Sequence, residues 1–196
     1  EFTKVPFRIQ LGNVCESHNE PVENIRVDDK RFDPAFLGEC DLRFCALLLR
    51  LADILDFDNS RSPQSVYDFL DLANPKNYSE QISKDEWNKH MASHGFRFEK
   101  KANSNPLLFI AIPPHPYIEQ GILSFLNLID SELAGALRVT GLCSDKWKLF
   151  PFPEKIDRSQ IKSSNYLSGK FRFTLSEDKI LDLLTGDDLY GDDFVF

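Results

Sequence analysis

The chain reads as an α+β protein, with an all-helical part over about 1–94 and a smaller α+β part over about 95–176. Three observations carry this. The segment 41–55 is leucine-rich at helical spacing, and the segment 116–137 carries one apolar face at helical period. Between them, 96–101 and 107–113 are short runs rich in β-forming residues, joined by Ala102-Asn103-Ser104-Asn105-Pro106, which reads as a hairpin with a longer loop. The second part is therefore ββα followed by strands.

In chain order, 7–20 predicts a short helix with Phe7, Ile9, Leu11, Val14 and Cys15 as its apolar side and Pro21 as its stop. Residues 21–40 are polar and irregular. Asp41 is placed to cap the next helix. That helix is apolar at Leu42, Phe44, Cys45, Leu47, Leu48, Leu49, Leu51, Ala52, Ile54 and Leu55, so protein is expected to cover both of its faces. The run 56–63 is a loop, and 64–72 a further turn or two of helix ended by Asn74-Pro75. Ser83-x-x-Glu86 has the form of a capping box, opening a helix through His94 with Gly95 closing it. Pro116 then starts the long helix, whose face is Ile118, Ile122, Phe125, Leu126, Ile129, Leu133 and Leu137. Strands are expected at 147–152 and 170–175, and Ser176 caps a last short helix over 177–185.

Composition narrows the function classes. At 196 residues the chain is long enough for its own core, and 17 phenylalanines point away from disorder. Lys and Arg number 23 against 31 Asp and Glu, a net charge of −8, which repels a nucleic-acid backbone. No apolar run approaches the roughly 18–20 residues that span a bilayer, and no signal peptide is visible. The four cysteines form no CxxC pair and read as free thiols in a reducing compartment, the cytoplasm. The chain opens on Glu1-Phe2 and stops at Asp192-Asp193-Phe194-Val195-Phe196, which reads as a piece of a larger protein.

The chemistry candidates start on the leucine-rich helix. Arg43, Arg50 and Asp53 fall on one line, seven and then three residues apart, with Ala46 between them. A carboxylate on the inward side of such a helix requires an arginine, a metal ion or a hydrogen-bond network. Asp53 is thus either a ligand or half of a buried pair with Arg50 or Arg43. Asp56-x-Asp58-x-Ser60 begins like a calcium loop, but Arg61 and Tyr67 stand where glycine and glutamate are required, so Asp58 and Asn59 read as a turn. Glu86, His90 and His94 sit four residues apart in turn, a weak zinc pattern that helix-end histidines also explain.

Two resemblances follow from these residues. LLLRLADILDFDNSR, of the form L-x-R-x-A-D-x-x-D, resembles the last ligand helix of the HD superfamily of metal-dependent phosphohydrolases, with Asp53 at the ligand aspartate. Leu11–His18 resembles that family's helix ending in a histidine toward the same metal. The resemblance implies metal ligands His18 and Asp53, supported by Arg43, Arg50 and Asp56, and a divalent ion (Mn, Mg or Fe) in the full-length protein. It assigns no catalytic residue. The defining His-Asp dipeptide occurs nowhere in this chain, so its place would be before Glu1. Trp87-x-x-His90 is similar to an element that follows the HD segment in chaperone-linked relatives.

The segment 171–196 resembles the lead-in to the ATPase domain of the ninety-kilodalton heat-shock chaperones, which implies ATP only through a domain after Phe196. The resulting division is 1–94 partial HD-like domain, 95–176 α+β domain, and 177–196 lead-in. The function implied is a cytoplasmic regulatory and structural module coupling an HD-type domain to a chaperone-like ATPase. The alternative is a phosphohydrolase on nucleotides or phosphoesters with half its site here. The expected partners are adjacent domains of the same protein, with a homo-oligomer as a further option, and neither nucleic acid nor membrane.

Overall fold

A computed structural model describes residues 7–25, 30–32, 36–37, 40–99 and 106–167. Among these, helices dominate and one three-stranded sheet accompanies them, which makes the fold α+β. Helix α1 (Phe7–Ser17) and helix α2 (Leu42–Leu55) flank a region of two 3-10 turns and the two-residue strands β1 (Phe36–Leu37) and β2 (Cys40–Asp41). Helix α3 (Gln64–Phe69) and helix α4 (Tyr78–Met91) follow. Strands β3 (Ser93–Phe98) and β4 (Leu107–Ala111) precede the long helix α5 (Pro116–Thr140), the single turn α6 (Asp145–Lys148) and strand β5 (Ile156–Ile161).

The caps explain the boundaries. Asp41 is extended and its Oδ1 accepts from the amides of Arg43 and Phe44, so α2 begins where its sequence demanded. Helix α4 begins earlier than the Ser83 capping box implied. Asn77 is the cap: its Oδ1 accepts from Glu80 N, while the Glu80 carboxylate accepts from Lys76 N and Asn77 Nδ2. Ser83 lies inside the helix and donates back to the Ser79 carbonyl at 3.1 Å. The helix also ends earlier, at Met91, because Ser93 and Gly95 are taken into the ladder with β4. His94 is therefore on a strand and not on the helix of Glu86 and His90. Gly95 sits at the ladder's irregularity with φ +84°, and a Cβ there would lie 3.2 Å from Asp58 Cβ.

In the sheet, β3 and β4 pair antiparallel as the hairpin pattern predicted, and β5 joins β4 in parallel after the α5 crossover. The expected strand at 147–152 is not one. Its first residues form α6, and Pro151 and Pro153 cannot donate to a ladder. Its aromatics anchor the segment instead: Trp147 stacks on Phe44 with centroids 4.5 Å apart, and Phe150 meets the same ring at 5.1 Å. Strand β5 was unexpected because Ile156–Ile161 is mostly polar. Asp130 of α5 fixes its start, accepting from Ile156 N at 2.8 Å and pairing with Arg158 at 2.5 Å. The strand and helix expected at 170–175 and 177–185 lie outside the described residues.

One core joins the helices to the sheet, from Val14 and Leu47 through Phe109 to Ile122, Leu126, Ile129 and Leu133. Helix α5 buries Ile122, Leu126, Ile129 and Leu133 of the predicted stripe, with Ile118 and Phe125 half-buried; Leu137 is exposed while Ala136 and Val139 take inner positions. Helix α2 is not covered on both faces. Leu48 and Leu49 are 41% and 37% exposed, and Leu48, Leu51, Ala52 and Leu55 line an apolar groove of about 530 Å³ with Phe98 and Phe150. No helix among the described residues is long and apolar enough to cross a membrane.

Candidate functional site

A second cavity, of about 350 Å³, lies where the end of α1, the end of α2, α4 and α5 meet. The C-terminal turn of α2 contributes Arg50 and Asp53, and the chain leaving it adds Asp56, Phe57 and Arg61. His18 comes from the end of α1, Glu86 and His90 from α4, and Phe125 from α5. His18, Arg50, Asp53 and Asp56, four of the five resemblance-based candidates, thus share one space with two members of the Glu86–His90–His94 set. Arg43 is buried and outside this space, and His94 is exposed on β3.

Arg50 is the structural centre of the cavity. Its guanidinium donates to both carboxylate oxygens of Glu132, at 2.5 and 2.9 Å, and to the carbonyls of Ser17, His18 and Glu20. Those carbonyls belong to the end of α1 and the turn after it, so one side chain satisfies groups a helix terminus leaves open. The Glu132 carboxylate holds the Arg50 guanidinium above its ordinary value, against the opposing effect of burial. The alternative role for Asp53 as the partner of Arg50 is therefore not realised. Asp53 is exposed, at the cavity's rim and not on the inward side of α2. The helix line of Arg43, Arg50 and Asp53 runs from the core to solvent as α2 reaches its end.

The remaining groups are partnered locally. Asp56 pairs with Arg61. Asp58 caps the 3-10 turn Asn59–Arg61, with its Oδ1 accepting from Ser60 N at 2.8 Å and Ser60 Oγ at 2.6 Å, and the Ser60 hydroxyl holds its carboxyl below the usual value. His90 packs its ring 4.0 Å from that of Phe57, and its Nδ1 lies 3.3 Å from the Asp58 carbonyl. Burial pushes the His90 imidazole below its usual value, with that carbonyl acting in the opposite direction. His18 directs Nδ1 to the Cys15 carbonyl. In the neutral ring, Nδ1–H donating there leaves the lone pair on Nε2, the tautomer a metal-ligating histidine needs.

Donor type fits a divalent ion, but donor number does not. No group of three or more His, Cys, Asp or Glu side chains among the described residues could hold one. Chemically the cavity offers three carboxylates, two guanidiniums and two imidazoles, suited to binding a polar ligand at a mixed-charge wall. Arg61, Phe57, Phe125 and the Glu132 anchor were not legible as site residues. The signal for Glu132 was its place near the inner edge of the long helix, and no local pattern pairs it with Arg50.

The family model HD-CE matches residues 1–134, more than half of the chain and all of the cavity's lining. The chain belongs to the HD-CE family. It thus contains an HD-like domain, in agreement with the resemblance carried by α1 and α2. The HD-CE match ends within α5, so α6 and β5 lie beyond it. No curated protein and no solved structure matches the chain.

Proposed function

We propose that this HD-CE chain is a regulatory and structural module of a larger cytoplasmic protein, coupling an HD-type domain to a chaperone-like ATPase. One observation carries the reading. The arginine of the HD-like L-x-R-x-A-D string is committed to holding α1, α2 and α5 together through Glu132 and three carbonyls. That arrangement transmits a shift of one helix to the other two. The lead-in resemblance of 171–196 supplies the ATPase side of the proposal.

The test uses the longer protein, measuring ATP turnover for the wild type and for Glu132→Gln, which weakens the tie while keeping side-chain size. A change in turnover of twofold or more, with the variant still folded by circular dichroism, is the expected result. Unchanged turnover in a folded variant overturns the coupling.

A second reading, a metal-dependent phosphohydrolase, is supported by the meeting of His18 and Asp53 at one cavity. In it, these two would hold an ion together with donors supplied from outside the described residues, and the ion would polarise a phosphoester oxygen and acidify a bound water. Asp53 is exposed, so Asp53→Ala is expected to change stability by less than about 0.5 kcal/mol. Stoichiometric Mn or Mg in the wild type, with metal and phosphoester turnover both lost in Asp53→Ala, would establish this reading. No metal and no turnover in the wild type would remove it.

A further inference from the structure

Cys40 and Cys45 form a thiol pair that neither reading of the cavity uses. Asp41 caps α2, so Cys40 precedes the cap and Cys45 is the fourth residue of the helix. These are the two positions that a hydrophobic staple brings together at a helix start. Here both are thiols, with their Sγ atoms 3.1 Å apart, and all four cysteines are free. A disulfide requires about 2.05 Å, so closure takes a movement of about 1 Å. The frame around the pair is fixed, because the buried Asp41 carboxylate accepts from Arg43 N, Phe44 N and, across the fold, Ser144 N. Access is graded: Cys40 is exposed and Cys45 half-buried.

The geometry points to a modification site: a reversible Cys40–Cys45 disulfide, formed by exchange with a small disulfide of the glutathione class. Cys40 gives up its proton, and the thiolate attacks one sulfur of the small disulfide, breaking its S–S bond and releasing one thiolate. Cys45 then gives up its proton and attacks the Cys40 sulfur, releasing the second thiolate. Two protons and two electrons leave the protein and reappear in two molecules of small thiol. In the reduced chain burial, then the neighbouring Cys40, with Asp41 and Cys143 acting in the same direction, pushes the Cys45 thiol up to about 12; the burial persists once Cys40 is capped, so the second step is favoured at alkaline pH. Cys15 is exposed on α1 with no thiol contact among the described residues, so exchange there stops at an adduct, and Cys143 is buried; closure to an internal disulfide is thus confined to the contacting pair at the α2 entrance. The bond fastens β2 to the first turn of the helix that carries Arg50 and Asp53.

The whole chain is incubated with oxidised glutathione, quenched in acid, alkylated and cut with trypsin. Cleavage after Arg31, Arg43 and Arg50 separates Cys40 from Cys45, in peptides 32–43 and 44–50. The expected result is these two peptides joined, released by dithiothreitol, with Cys15 and Cys143 not joined to either. Cys45→Ser is expected to stop at a glutathione adduct on Cys40. The proposal is overturned if the wild type also stops at that adduct, if Cys40 or Cys45 joins Cys15 or Cys143, or if both remain alkylated. The wild-type peptide map decides this even if the variant fails to fold.

Discussion

Glu132 and Arg50 meet through two parallel hydrogen bonds across 82 residues of sequence, each side chain less than one-seventh exposed in fact at 14% and 12%. The bidentate form fixes the rotation of α2 against α5, and the remaining guanidinium nitrogen, Nη1, donates to the end of α1 and the turn after it. Arg50→Ala leaves a largely buried carboxylate and several carbonyls without their donor. It is expected to destabilise the fold by about 3 kcal/mol, and Arg50→Lys by only somewhat less, since an ammonium cannot reproduce the fork. Urea unfolding of Arg50→Ala, Glu132→Gln and the double variant checks this. The double variant should cost less than the sum of the two singles.

Gly135 of α5 stands against Val22, where an added Cβ would come within 2.2 Å of Val22 Cγ1. Val22 is buried on its 3-10 turn, so the methyl has nowhere to go without moving backbone. Gly135→Ala is expected to cost about 1–3 kcal/mol despite the better helix propensity of alanine. Adding Val22→Ala should restore part of that loss, which thermal unfolding of the single and double variants would reveal.

Asp41 uses both carboxylate oxygens on backbone amides, Oδ1 for the α2 cap and Oδ2 for Ser144 N at 2.7 Å. Asp41→Ala is expected to cost about 2–4 kcal/mol, more than an ordinary cap, because Ser144 N–H loses its acceptor as well. Asp41→Asn can keep either the cap or the Ser144 bond, since its amide nitrogen is a donor, and should fall between. Amide exchange at Ser144 would distinguish the two losses.

His90 gives the fold a pH dependence of known sign. Its folded value lies below the ordinary 6.5, so the unfolded chain binds the proton more readily in the interval between them. Stability is therefore full above 6.5, falls as pH drops through the interval, and has no further His90 contribution below the folded value. His90→Asn should flatten the slope between pH 7.5 and 5 (about the interval over which an imidazole titrates) in urea midpoints, relative to the wild type. A slope unchanged by the substitution would show that another group controls it.

Much of the architecture was legible locally. The α2 boundaries followed from Asp41 and the leucine run, the α5 start from Pro116, and the β3–β4 hairpin from its apolar runs. Local signals failed where a better partner lay nearby or far away. Asn77 with Glu80 outcompetes the Ser83 box, and the aromatics of 147–152, strand-like in sequence, pack on Phe44 instead. Strand β5 is specified by Asp130 and by the edge of β4 that β3 leaves unpaired, neither of which its own polar sequence announces.

By itself the sequence determined the fold class and the HD-like helix, and its family resemblance grouped His18, Arg43, Arg50, Asp53 and Asp56, of which Arg43 lies outside the cavity. Periodicity and capping are local properties, so short-range order suffices to read them. Only the tertiary structure decided that Arg50 belongs to Glu132, that Asp53 sits at the rim, and that Glu86 and His90 share the cavity while His94 does not. Those outcomes depend on which distant helix supplies the partner for a desolvated charge, and no spacing along one helix encodes that choice.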